Sequence, residues 1–459
     1  MEIMNYSKVS IGAIYIVINA VLLINTPYDI HLLKGADAAS WYNPALALLK
    51  YGAFVTLDDP TILQTYRTPL YPIFEAFLLF IGGGNNISII IGQIVLLWLT
   101  GIIAYKIIER ILPGKGIVAL ALVIFNPNTL GTSHLIQSDT LYMFMVTTTL
   151  CCLILYGSRR NFKLSIIVGL LFGLTCLVRP SGQYLMLLLP VIYIIIGLVQ
   201  KDKQRLVSHL YHGILSTIVA LIIVFPWAQH NANAGWGYNL ATAEIEVVYF
   251  RDNVIYLESV LNDSSLNDAE KKIEEKEQDY VLTHTDEWQL MSKQKKLLML
   301  SLYYKKQLLT YDYNIILKGF VESWIGFFGA GGAVNLHNIL ELDGKRSIQL
   351  MSSTGERLSR VDAVISTLSE LNLTALFISL LSFLYVVTLR IFGLIGLIAM
   401  VKNKEYGLSF ILTGAVTYFM LISLFVGNSR YRLPIEPVLI VMAVYGFSIV
   451  FKKGMHGLK

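Results

Sequence analysis

The 459-residue chain is 55% hydrophobic and only 15% charged, with a mean hydropathy of +0.60. Soluble domains average about 45–50% apolar and about 25% charged residues, so this composition belongs to a membrane protein. The formal charge of +5 is modest and the basic residues gather in short loops, a pattern of membrane orientation that excludes a nucleic-acid footprint. Cys151, Cys152 and Cys176 all sit inside apolar runs, and an odd number so placed argues against a disulfide framework or a metal cage.

In chain order, the first apolar run is Val9 to Thr26, 18 residues long. A signal-peptide core covers about 7–15 residues and leads to a small-x-small cleavage site. This run is longer and lacks a convincing site, so it reads as a retained first span. Further runs fall near 86–105, 116–127, 140–157, 164–178, 183–200, 210–228, 373–401, 407–426 and 434–451. At roughly 20 residues per crossing they predict an all-α polytopic membrane protein of about 10 helices, within a range of about 9–13. Short alternating strands, the signature of a barrel, are missing. The third and fifth runs are short, and the eighth is long and contains Arg390.

With the N-terminus inside, every short inner loop is basic. Lys106, Arg110 and Lys115 share one loop, Arg159, Arg160 and Lys163 the next, then Lys201, Lys203 and Arg205, then Lys402 and Lys404. The tail adds Lys452, Lys453 and Lys459, which puts the C-terminus inside as well. Two long segments then lie outside, residues 27–85 and 229–372. The domain organisation expected is a transmembrane module over 1–228, an outer segment over 229–372 and C-terminal transmembrane helices over 373–459. Within the outer segment "LNDSSLNDAEKKIEEKEQDY" is too polar for lipid. Tyr303 to Gly332 is amphipathic and then nearly apolar, so it lies on the membrane, dips into it or adds a span. There is no repeat with a convincing period and no pair of inverted halves.

The chemistry is therefore expected on the outer face. "GADAASWYNPALALLKYGAFVTLDDPTILQTYRTPLYPIFEA" places Asp37, Trp41 and Tyr42 just beyond the first span, and Tyr66 and Arg67 before a twin-proline return. Asp37 reads as an idle interfacial acid or as a functional one, and the aromatics fit an interfacial belt. Asp58 and Asp59 before Pro60 read as turn residues. Arg67 suits a phosphate fork or a snorkelling anchor. Farther on, Asp139 opens the fourth span, where a carboxylate also complements a helix N-terminus. His134 lacks any neighbour at metal-ligand spacing. Arg179 stands at the outer junction of two spans, and Arg430 and Arg432 stand just before the last one. Arg67, Arg179, Arg430 and Arg432 all break the positive-inside pattern on one side, which points to an anionic ligand at the outer face.

These residues carry a family resemblance. "D-x-x-S-W-Y-x-x-A" and "RTPLYP", followed in order by "SDTLY", "GLLFGLTCLVRP", "FPW" and "NSRYRLPIEPVLIVMAVYG", resemble the large membrane glycosyltransferases of the GT-C type. The likeness is to bacterial relatives of protein O-mannosyltransferases and of the aminoarabinose transferase that modifies lipid A. It covers most of the chain, but the segment near 240–370 matches no pattern of that group. The resemblance implies a polyprenyl-phosphate-sugar donor, an acceptor hydroxyl on a lipid, glycan or protein, and inverting transfer on the outer face of the bacterial cytoplasmic membrane. It implies Asp37 as general base and Asp139 as a second carboxylate. Arg67, Arg179, Arg430 and Arg432 would hold the donor phosphate, with Trp41, Tyr42 and Tyr66 in the substrate pocket. Some relatives use a divalent metal ion and others do not; Asp37 and Asp139 are its ligands if one binds. The alternative is a transporter or flippase of an anionic lipid-linked glycan, which needs ionisable groups near mid-membrane rather than at one face.

Overall fold

The computed structural model describes residues 2–25, 37–342, 369 and 371–456. The beginning of the first outer loop (27–36), residues 343–368 and 370 of the second outer segment, and the side chains of the basic tail (Lys452, Lys453 and Lys459) lie outside the described residues. Apart from one isolated bridge between Val55 and Leu63, the described residues contain no extended pairing. The protein is a multi-pass helical membrane bundle carrying a helical unit at one end.

Every predicted apolar run coincides with a helix. Among the described residues six elements are long and apolar enough to cross a membrane: α4 (Ile87–Ile111), α7 (Asp139–Arg159), the 3-10 turn Pro180–Leu188 continued by α9 (Leu189–Val199), α10 (Leu206–Asn233), α17 (Leu373–Lys402) and the segment Ser429–Phe451. That last segment is a helical turn, Ser429–Arg432, running into α19 (Glu436–His456). Three shorter apolar helices match the other runs: the apolar part of α1 (Glu2–Asn25), α8 (Phe162–Val178) and α18 (Tyr406–Ile422). The run at 116–127 is broken: α5 (Gly116–Ile124) and α6 (Pro127–Ser133) meet at 55°. Pro127 forces Asn126 out of helical geometry, and the Asn126 side chain then caps the new helix by accepting from the Asn128 N–H at 2.9 Å.

The loop after the first apolar helix, expected on the outer side, holds more helix than its sequence suggests. After α2 (Ala38–Tyr51), residues Leu70–Ile81 form α3, an apolar helix too short to span a bilayer of about 30 Å. Its outward face, with Phe77, Phe80 and Ile81, is exposed, while Glu75 and Tyr71 are buried against the bundle. Between them Asp58 and Asp59 occupy a turn in which Asp59 Oδ1 accepts from the Thr61 N–H at 2.9 Å and the Thr61 hydroxyl at 2.7 Å.

Helices α17 and α19 pack at the backbone because glycine allows it. A Cβ on Gly396 would fall 1.9 Å from the Met442 carbonyl, and one on Gly446 would fall 2.0 Å from that of Phe392. The helical unit at one end of the bundle, expected on the outer side, consists of α11 (Ala243–Asn262), α12 (Leu266–Thr283), α13 (Thr285–Leu290), α14 (Lys293–Leu308), α15 (Tyr313–Gly329) and α16 (Ala333–Ile339). Helix α15 covers the apolar stretch that read as a dip or a span. It is 17 residues long and is not among the helices fit to cross a membrane. The unit grips the loop after α18. Asn253 accepts from the Phe425 N–H at 2.9 Å, Ser323 from the Gly427 N–H at 2.9 Å, and the Tyr249 hydroxyl donates to the Ile422 carbonyl at 2.7 Å. That loop leads directly to Arg430.

Candidate active site

Five distant stretches converge where the helical unit of α11–α16 meets the bundle, and two hydrogen-bond chains hold them in register. The Thr68 hydroxyl donates to the Val178 carbonyl at 2.8 Å, tying the residue after Arg67 to the residue before Arg179. Tyr71 donates to Gln93 at 3.0 Å, and Gln93 donates to the carbonyls of Ser133 and Leu135, at 3.1 and 2.8 Å. This second chain steadies the turn that ends at Asp139.

On this frame Arg430 bridges the two carboxylates: its Nη1 lies 2.8 Å from Asp37 Oδ2 and its Nε 3.2 Å from Asp139 Oδ2. Arg179 contacts the same Asp139 oxygen at 2.7 Å, and Arg67 approaches Asp37 Oδ1 at 3.3 Å. Two serines orient these cations, for Arg67 Nε donates to Ser40 Oγ and Arg179 Nε to Ser138 Oγ, both at 2.9 Å. The Arg67 guanidinium is sandwiched between the rings of Trp41 and Tyr66, 4.6 Å from each centroid. Three guanidinium groups thus meet two carboxylates, which leaves a positive charge for an anionic ligand.

The two acids differ in access. The Asp37 side chain is 37% exposed, whereas that of Asp139 is fully buried, so only Asp37 is open to a substrate hydroxyl. Burial raises the Asp37 carboxyl, but the charges of Arg430 and Arg67, the Arg430 hydrogen bond and the more distant Arg179 outweigh it and hold it below its usual range. Asp37 is therefore ionised at neutral pH. The second oxygen of Asp139 is buried without a hydrogen-bond partner among the described residues.

The site residues expected from sequence divide into two sets. Asp37, Arg67, Asp139, Arg179 and Arg430 come together, with Tyr66 half-buried against Arg67. Trp41 and Tyr42 lie deeper than a substrate pocket allows, at 2% and 5% exposure. Trp41 supports Arg67 from below, and Tyr42 packs beside Leu78 and Ile89 while its hydroxyl donates to Asn86 at 2.6 Å. Arg432 points away from the cluster. It is fully buried, ion-paired with Glu436, and its other nitrogens donate to the carbonyls of Phe327 and Ala330. Arg390, the one basic residue expected within a span, contacts the same Glu436 at 3.1 Å. His134 is buried against the Leu130 carbonyl at 3.0 Å and faces no ligand set. No motif points to Asp252 on α11, whose carboxyl is raised by partial burial and, against the pull of Arg251, by the charges of Glu270 and Asp37. It is a third acid within electrostatic reach of the site. Ser40 and Ser138 stood in the recognised motifs, but only the fold reveals what they hold.

Among the described residues no three acidic, histidine or cysteine side chains come together, and the two aspartates already face arginines.

An apolar cavity of about 1000 Å³ runs between α7, α8, α9, α17 and α18. One end is Tyr142, whose ring lies 5.7 Å from the Arg179 guanidinium, and the other reaches Val199, Tyr406 and Ile411. Its lining runs from Gly182 in the 3-10 turn to Val199, the last residue of α9, so the groove follows most of that 20-residue span.

Comparison with known proteins follows the same lines. No curated protein matches the chain in sequence. Among solved structures, the apo form of the Archaeoglobus fulgidus oligosaccharyltransferase matches with a TM-score of 0.52 and 14% identity, over 97% of this chain and 50% of that one. The archaeal oligosaccharyltransferase AglB from Archaeoglobus fulgidus, in complex with an inhibitory peptide and a dolichol-phosphate, matches at 0.51 and 12% identity, over 98% and 51%. This chain therefore spans about half the length of the solved structures it matches, and at such identities the likeness establishes the fold. Residues 66–230, which include Arg67, Asp139 and Arg179, match the family model described as dolichyl-phosphate-mannose-protein mannosyltransferase. Segment and fold together bear out the resemblance read from the motifs: the chain is similar to membrane glycosyltransferases of the GT-C type.

Proposed function

We propose that the protein is a membrane glycosyltransferase that moves a sugar from a polyprenyl-phosphate donor to an acceptor hydroxyl at the outer face of a bacterial cytoplasmic membrane. The observation that carries this reading is a cationic, carboxylate-bearing cluster at the mouth of an apolar groove of lipid length. The polyprenyl chain lies in the groove and its phosphodiester meets Arg179 and Arg430, with Arg67 behind them.

Asp37 takes the proton from the acceptor hydroxyl as that oxygen attacks the anomeric carbon. The bond between this carbon and the phosphate oxygen breaks, its electron pair stays on the phosphate, and the configuration inverts. The leaving polyprenyl phosphate gains negative charge, which the fixed guanidinium groups stabilise. Asp139, with no route to solvent, acts as a positioning residue that aims Arg179 and Arg430. The donor competes with Asp37 for Arg430 and Arg67, so phosphate binding loosens the ion pairs and frees the carboxylate to act as base.

A flippase reading has less support, because Arg390 is consumed by Glu436 and the remaining site charges sit at one end of the bundle. The test is Asp37→Asn in purified protein with a polyprenyl-phosphate-sugar donor. Transfer should fall by about hundredfold or more, while donor binding stays the same or tightens because Arg430 is released. Undiminished transfer in this variant would remove Asp37 as the base; glycan movement without transfer in the wild type would favour the flippase.

A further inference from the structure

A second cavity, of about 950 Å³, lies at the opposite end of the bundle from Asp37. Helix α7 fixes the geometry: Asp139 begins it and Arg160 follows its last residue. Five cations from four separate stretches line the wall: Lys106 and Arg110 on α4, Arg160 after α7, Lys201 after α9, and Lys404 before α18. Glu405 is the only acid on that wall. Arg160 is held by Asp202 at 2.7 Å, while Lys106, Arg110, Lys201 and Lys404 form no ion pair among the described residues.

Three further features suit an anion. The N-terminus of the 17-residue helix α18 opens onto the cavity at Tyr406 and Gly407, and no side chain caps it. Arg160, Lys201 and Lys404 hold left-handed backbone angles, φ +47°, +59° and +62°, and they are three of the six non-glycine residues with positive φ among those described. Each is the left-handed residue that closes the C-terminus of a helix, α7, α9 or α17, so three helix ends deliver their cations to one wall. Gly157 and Gly407 leave room for the Gln200 amide at the wall, since a Cβ on either would come 2.8 Å from its Nε2. Val199, Tyr406 and Ile411 line this cavity and the apolar groove alike, so an anion bound here has hydrocarbon-binding surface directly beside it.

We propose that this cavity binds a phosphate-bearing anion, supplied by the headgroup of an anionic membrane phospholipid whose acyl chains enter the near end of the groove. Basic pockets between transmembrane helices recognise such headgroups through charge and amide donors. The anion site is separate from the transfer chemistry, although its acyl chains share the near end of the groove proposed for the polyprenyl chain.

The experiment places the purified protein in vesicles of equal phosphatidylglycerol and phosphatidylcholine and counts the lipids retained by native mass spectrometry. The wild type should enrich phosphatidylglycerol about tenfold or more. The variant Lys106→Gln/Arg110→Gln/Lys404→Gln should lose that preference. Arg159→Gln/Lys163→Gln/Arg205→Gln, which removes as many charges from the same end outside the cavity, should keep it. No enrichment in the wild type overturns the proposal without recourse to any variant, and equal loss in both triple variants reduces it to general surface charge. A third arm adds inorganic phosphate to protein in neutral detergent. If phosphate alone raises the unfolding temperature as much as phosphatidylglycerol does, the anion comes from solution and the lipid assignment fails.

Discussion

Arg430 and Arg432 stand two residues apart in "NSRYRLP" and look interchangeable, yet they do opposite work. At about 100° per residue, two positions on one helical turn face roughly opposite ways. The Asn428 side chain starts this turn by accepting from the Arg430 N–H at 2.9 Å. Arg430 then reaches both aspartates, and Arg432 must enter the core. There it meets Glu436 together with Arg390, and it closes the free carbonyls of Phe327 and Ala330 at the end of α15. Removing one member of a buried charge network leaves the others unpaired, at a cost of about 3–5 kcal/mol. Arg432→Leu should therefore lower the yield and unfolding temperature of the protein in detergent, while any folded fraction keeps a normal KM for donor. A raised donor KM in protein of normal stability would return Arg432 to the phosphate site. The grouping of arginines at one face was legible because each breaks a charge rule. Which of them face the ligand was not, since helical phase at a turn depends on where the turn begins.

The outer helices illustrate the opposite case, an element whose type is legible and whose role is not. Its polar, lysine- and glutamate-rich sequence forms α11, α12 and α14, stitched by ion pairs such as Arg251 to Glu270 and Glu274, at 3.0 and 2.9 Å, and Lys305 to Glu246 at 2.6 Å. No motif marks Asp252, because its nearness to Asp37 arises only when α11 packs over the loop before Arg430. The centre of the unit is Glu258, a buried carboxylate bonded to Lys272 at 2.8 Å, Lys276 at 3.0 Å and the Tyr311 hydroxyl at 2.8 Å. Burial raises this carboxyl, but its bonds to Lys272, Tyr311, Lys276 and Asn262 together bring it down from 4.5 to about 2. A depressed acid contributes stability that is complete above its unfolded value and disappears as pH falls through its folded value. The contribution is on the order of 3 kcal/mol at neutral pH. Glu258→Gln should thus speed hydrogen exchange in α11 and α12 at pH 7, and the difference from wild type should shrink steadily below pH 4.5, towards about 2. A difference that is independent of pH would mean that packing, rather than ionisation, holds this unit together.

Across the whole molecule, the hydropathy runs located every apolar helix but α3, which is too short for a window of about 20 residues to register. The bend at Asn126 was likewise invisible to hydropathy, although Pro127 announces it to a reading of backbone sterics. The groove could not be read at all, since it is space left between five helices and belongs to none of them. Its proposed role as the seat of the polyprenyl chain makes a length-dependent demand on the donor. Gly414 on α18 lines it, and a Cβ added there meets nothing within 4 Å, so a large side chain would fill the groove without displacing the fold. In Gly414→Phe the phenyl ring should block a long isoprenoid chain partway along, while the arginine cluster beyond Tyr142 is untouched. KM for a long-chain donor should then rise about tenfold or more, in keeping with about 0.8 kcal/mol for each buried methylene lost. A donor truncated to one or two isoprene units does not extend to Gly414 and should react as with wild type. Equal inhibition of long and short donors would place the lipid elsewhere, and the groove would then be only a seam between helices.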